Sequence, residues 1–148
     1  MDEQIKKLNI MLATLEVAAA NAKGRHWTTY GHNFRSVHLL LDDLWKTLRD
    51  GADKLAETVR VIGGLPLFRM TDFTAYSLIL EISKVSDGLT YCRETSEEIH
   101  RLIDQFHGAV EHKVFDPTTE NDVLNITSQL RHWLLFFDGI ISEWEGTK

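Results

Sequence analysis

The sequence predicts an all-α protein: a bundle of four long helices with one short helix between the second and the third. Three observations predict it. Apolar residues recur at three- and four-residue steps through most of the 148 residues. The two prolines, Pro66 and Pro117, both fall where that periodicity stops. Four long periodic segments with a short one between them bury their apolar stripes best by packing side by side. A chain of this length suits one domain, 1–148, with one core.

The first helix is expected over about residues 3–29, where Ile5, Leu8, Leu12, Leu15 and Ala19 keep helical register. "YGHNF" at 30–34 breaks it, with Gly31 able to adopt a left-handed conformation and Asn33 able to cap the next helix. The second helix runs to about Ile62 and stops at Gly63-Gly64, with Pro66 close behind. "TDFTAYSLILEIS" at 71–83 reads as the short crossing helix. The third long helix covers roughly 87–114, with Leu89, Ile99, Leu102, Ile103 and Phe106 among its apolar positions. "FDPTTEND" at 115–122 reads as a turn, and the last helix runs from about 119 to 144.

Composition narrows the function classes. The chain is 43% hydrophobic and 26% charged, the balance of an ordinary soluble protein. Its net charge of -6 argues against a general nucleic-acid binder. No signal peptide is expected at the N-terminus, and no apolar run spans a bilayer, so a cytoplasmic protein without a membrane partner is expected. The single cysteine, Cys92, fits a reducing compartment and reads as a small, partly buried side chain.

The second helix carries the chemistry. Leu41, Leu44, Leu48, Leu55 and Val59 fall within ~60° of one another on the helix wheel and form the core stripe. His38, Asp42, Asp53 and Glu57 span ~100° on one shoulder of it, where another helix would pack. Both His38 with Asp42 and Asp53 with Glu57 have i, i+4 spacing, so each pair can reach toward one point. Imidazole and carboxylate together suit iron, zinc or manganese. The rise from Asp42 to Asp53 is ~16 Å, too far for one ion. An antiparallel copy of the same helix, with a two-fold axis near Thr47 and Leu48, would set Asp42 of one chain against Asp53 of the other and create two equivalent sites per dimer. The competing reading is a solvated, salt-bridged shoulder, with Lys46 and Arg49 in the same sector as partners.

The spacing His26, His38, Asp42, Asp53, Glu57 resembles the ferroxidase signature of the Dps family, the dodecameric mini-ferritins named as DNA-binding proteins from starved cells. "HW" at 26–27, Gly31, "NF" at 33–34 and "GGLP" at 63–66 agree with it. Two departures stand out: Glu57-Thr58 where the family usually has Glu-Arg, and "LLFF" at 134–137 where it often has a tryptophan-containing run. The resemblance implies a ferritin-like four-helix bundle and a hollow homo-oligomeric shell, a dodecamer. It implies iron sites at the two-fold interface, with His26, His38 and Asp42 from one subunit and Asp53 and Glu57 from its mate. Zinc is a possible substitute metal. The activity implied is oxidation of Fe(II), with hydrogen peroxide or dioxygen as oxidant, and storage of ferric mineral, a protection against oxidative stress. Carboxylates favour Fe(III), and histidines ligate only through a neutral nitrogen, so binding weakens in acid. Trp27, beside His26, is implied as an interceptor of oxidising equivalents, with simple packing as the alternative.

Further features are weaker. Asp122 resembles the family's acid at a three-fold pore, with Glu120 and Asp116 as lesser candidates; acids at a helix start also complement the helix dipole. "EEIH" at 97–100 contains one Glu-x-x-His motif, Glu97 and His100, where a ferritin-like core site needs two. It reads as a solvated face. His32, His107, His112 and His132 have no partner in register. DNA binding is expected to be weak or absent: Lys6 and Lys7 lie within the first helix, the C-terminal tail offers only Lys148, and twelve chains at -6 carry about -72. The rival readings are a structural shell protein with a vestigial or zinc-occupied site, and a nucleoid-associated protein.

Overall fold

The computed structural model describes residues 2–146, so Lys148 lies outside the described residues. Five helices occur in order: α1 Glu3–Thr28, α2 Phe34–Val61, α3 Met70–Tyr76, α4 Gly88–Glu111 and α5 Pro117–Gly146. α1 packs chiefly on α2 and α4 on α5, and the two hairpins close on each other through α1 with α4 and α2 with α5. Leu8, Leu12 and Leu15 meet Leu41, Leu44, Leu48 and Leu55 in one core with Leu102, Phe106, Val123, Leu130 and Phe137. The core stripe expected on α2 is the one that is buried.

The ends of the helices show where sequence and structure part. α2 closes on a Schellman turn: Gly63 has φ 93°, its N–H donates to Arg60 O, and Gly64 N–H donates to Val59 O. Gly64 must also be small, because a Cβ there would lie 2.8 Å from Ile5 Cδ1. Asn33 stands at the start of α2 but does not cap it with its side chain. At φ 57° it is left-handed, and the helix instead begins with Val37 N–H donating to Asn33 O. "FDPTTEND" is less of a turn than expected. Pro117 occupies the first helical position of α5, and Asp116 caps it by accepting from Thr119 N–H and Oγ1, each at 2.9 Å.

The crossing helix is shorter than its apolar pattern implies. It ends at Tyr76, and 77–87 form a strap without helical turns, in which the backbone of Leu78, Leu80 and Ile82 bonds to α1 side chains. Asn21 on α1 donates to Leu80 O at 2.9 Å and accepts from Ile82 N–H at 3.0 Å, while Thr14 Oγ1 accepts from Leu78 N–H. Asn9 treats the α2–α3 connection in the same way, donating to Leu65 O and accepting from Leu67 N–H. Each carboxamide acts as a short piece of strand edge, pairing a carbonyl with the N–H two residues on. Asn21 also donates to the Glu98 carboxylate at 2.8 Å, inside the protein.

Replacing Asn21 by Ala leaves three polar partners unpaired and should lower unfolding free energy by about 2–3 kcal/mol. Asn9→Ala, at an exposed site, should cost only about 1 kcal/mol. Urea denaturation at one fixed protein concentration measures both; equal losses would mean that Asn21 is no more than a surface tie.

Candidate metal centre

The turn end of the α1–α2 hairpin brings His26 and His38 face to face, with ring centroids 3.8 Å apart and planes 17° from parallel. Each is braced by the other's backbone. His26 Nδ1 lies 2.6 Å from His38 O, and His38 Nδ1 lies 2.8 Å from His26 O. A carbonyl only accepts, so both Nδ1 atoms carry the proton in these bonds. Each neutral ring then keeps its lone pair on Nε2, the tautomer a metal ligand needs. Phe34 stacks on the other face of His38, with centroids 5.3 Å apart.

Asp42 stands one turn beyond His38 and is engaged by a residue that helical spacing on α2 does not single out. Lys23, on α1, donates to Asp42 Oδ1 at 2.5 Å, and its ammonium lies 3.9 Å from the centre of the Trp45 ring. The hydrogen bond from Lys23 holds the Asp42 carboxyl below its usual range, against an opposing effect of burial. Of the two expected salt-bridge partners on this shoulder, Lys46 approaches Asp42 Oδ2 only to 3.7 Å, and Arg49 pairs with Glu16 on α1. The one available signal for Lys23 was its position three residues before His26, which puts both on one face of α1.

Asp53 and Glu57 lie farther along α2, exposed to solvent. The chain therefore brings together His26 and His38, sets Asp42 one turn beyond against Lys23 and leaves the second pair apart; no three His, Cys, Asp or Glu among the described residues are close enough to hold a metal ion. Trp27 is 72% exposed, so packing within its own chain does not account for it.

The remaining candidates have local duties. Asp122 accepts from Thr58 Oγ1 at 3.4 Å and faces Lys54 at 3.7 Å, so the departure from Glu-Arg at position 58 places a buried threonine against this acid. Asp116 is the α5 cap, and Glu120 is half-buried in the first turn. Glu97 and His100 are both exposed; the buried acid of α4 is their neighbour Glu98, paired with Arg25. Burial pushes the Glu98 carboxyl up, and Arg25 and Asn21 offset that only partly. Cys92 is fully buried, and burial raises its thiol to about 12, which leaves it inert as a nucleophile. No helix among the described residues is long and apolar enough to cross a membrane.

Comparison with known proteins gives a consistent picture. A sequence model of the ferritin-like domain matches residues 5–145. A protein of Haemophilus influenzae is 30% identical over 103 residues, 70% of this chain and 64% of its own. The DNA protection during starvation protein of Halobacterium salinarum is 37% identical over 65 residues, 44% of this chain and 36% of its own. These alignments thus span less than two thirds of either relative's length. Among solved structures, Dps from Staphylococcus aureus superposes with a TM-score of 0.90 at 24% identity, covering 96% of this chain and 97% of that one.

Because its folded-state acidity is raised by Lys23, the Asp42 carboxylate contributes stability above its unfolded pKa of about 4, and loses it as pH falls through the lower folded value. Acid titration of stability should therefore be shallower below about pH 4 in Asp42→Asn than in wild type. Thermal melts across that range provide the measurement, and parallel curves would show that the Lys23 bond adds nothing.

Proposed function

Taking as premise that this chain belongs to the ferritin-like family, and within it to the Dps group, we propose that it oxidises Fe(II), with hydrogen peroxide as oxidant, and stores the ferric product in a hollow homo-oligomeric shell. The observation that carries this reading is the crossed pair of histidines. Two side chains are fixed in the ligating tautomer, beside a carboxylate, at the edge of a bundle.

In this reading the iron site is shared. His26, His38 and Asp42 of one subunit face Asp53 and Glu57 of the partner subunit, across a two-fold axis near Thr47 and Leu48. The rise of α2 supports it, since ~16 Å separates the two acidic groups along one helix. Exposed apolar side chains flank both halves of the shoulder and support burial there: Trp27 and Phe34 at the histidine end, Val61 and Leu65 at the other. Twelve subunits would complete a shell of the Dps type.

Iron here is substrate and cargo. The donor set fits it, because imidazole holds Fe(II) while carboxylates favour the Fe(III) that oxidation produces. The protein's own part is to present Nε2 atoms already in the right tautomer, to supply negative charge, and to keep one side of the site open to the oxidant. The exposed Trp27 beside His26 is placed to give up an electron to a stray oxidising equivalent before it leaves the site. Asp122, with Glu120 near it, is the acid assigned to the pore by which Fe(II) enters; Asp116, engaged as a cap, has the weaker claim. The acidic charge of the chain opposes DNA binding, so protection would come through removal of iron and peroxide.

His38→Ala and Asp42→Ala should each slow Fe(II) oxidation at least tenfold, read as ferric absorbance after anaerobic addition of iron and then peroxide, while native mass stays that of a dodecamer. Oxidation at the wild-type rate would remove these residues from the site. Sharing has its own test. His38→Ala and Glu57→Ala protomers, unfolded together and reassembled at equal ratio, should recover about a quarter of wild-type sites, because half the two-fold pairs are mixed and each holds one intact site. A site built within one chain would recover none.

A further inference from the structure

Lys23 sits where a metal ion would meet Asp42. Its ammonium is within hydrogen-bond distance of Oδ1, and the two side chains are only 22% and 24% exposed, so the contact is a settled one. Lys46, the other cation near Asp42, is 61% exposed and 3.7 Å from Oδ2, a looser neighbour. Lys23 also has a second resting place, since its nitrogen already lies over the face of Trp45, which is three residues beyond Asp42 on α2.

We propose that Lys23 is an internal counter-ion that closes the empty site and must leave Asp42 before a divalent cation can bind there, with the Trp45 ring holding the ammonium when it moves aside. This rests on the site assignment above and adds to it a residue that sets affinity. A dication and an ammonium repel at the ~4 Å their common carboxylate would impose. They therefore compete for Asp42, and apparent affinity is the intrinsic affinity reduced by the stability of the Lys23–Asp42 bond. The site then fills only when free metal exceeds a threshold. Between times it keeps its carboxylate neutralised and its geometry in place. Lys23 is a positioning and selectivity residue; it donates nothing to the metal.

The test uses zinc, which is redox-silent, titrated into the assembled protein and followed by calorimetry at fixed salt. Lys23→Met should bind Zn(II) about 2–5-fold more tightly than wild type, whereas Lys23→Arg, which restores the charge, should bind as wild type does. If Lys23→Met fails to assemble, Lys23→Gln gives the same comparison with hydrogen bonding kept. A second reading comes from Trp45 emission, taken as the difference between each protein and its Trp45→Phe counterpart. Zinc should alter it in wild type and leave it unaltered in Lys23→Met. Asp42→Asn separates the two levels of the claim. If it weakens zinc binding while Lys23→Met and Lys23→Gln bind no more tightly than wild type, the site stands and the counter-ion role is overturned. If Asp42→Asn binds zinc like wild type, the site assignment fails and the role of Lys23 fails with it.

Discussion

The register between α1 and α2 near their connecting turn depends on two hydrogen bonds that cross. His26 and His38 each spend Nδ1 on the other's carbonyl, and the stacked rings hold the backbones at that separation. A shift of either helix by one residue would break both bonds at once and turn His26 away from His38. The same shift would carry Leu15, Leu41 and Leu48 out of a core in which they are fully or almost fully buried. The bonds that orient the two imidazoles therefore also fix which apolar side chains meet below them.

A second constraint is the pitch of the α-helix. α2 carries both proposed ligand pairs on one shoulder, and no bending of a 28-residue helix brings them together. On the proposed assignment one chain supplies only part of a metal site, and the remaining donors would come from another molecule. A two-fold axis does this with one interface and yields both sites at once. On this assignment folding would build the histidine half, and association would supply the carboxylate half.

Much of this was legible in the sequence, for a physical reason. α2 is strongly amphipathic, so its buried stripe could be read from spacing alone, and the structure buries it as expected. Gly63-Gly64 likewise marked the end of α2, where a left-handed residue closes the last turn. What escaped were contacts made by polar side chains across long sequence separations. Residues 77–83 look helical because Leu78, Ile79, Leu80 and Ile82 are apolar, but the Asn21 and Thr14 side chains offer their backbone better-placed partners. Asn21 lies 59 residues from Leu80, and no local periodicity reports such a bond. Lys23 was missed for the same reason: its partner Asp42 is on another helix, whereas Lys46 and Arg49 were neighbours in the sequence.

The charge of the proposed site gives Lys23 a further significance. On the proposed pairing, Asp42 of one chain meets Asp53 and Glu57 of its partner subunit, so three carboxylates share a small volume before any metal arrives. Each close pair at ~4 Å repels by about 1 kcal/mol in water and about 4 kcal/mol at a partly buried surface. An interface carrying two such clusters would resist its own formation unless cations offset them. Lys23 is already bonded to the carboxylate that lies nearest the histidines, and it comes from the same chain, so the offset is present before the subunits meet. A lysine at this position thus weakens metal binding and eases assembly through one and the same charge. A neutral residue there would tighten the site and at the same time raise the electrostatic cost of closing the empty interface, most steeply at low salt, where screening is least. On the proposed function, that coupling would account for a cation of the chain's own beside Asp42.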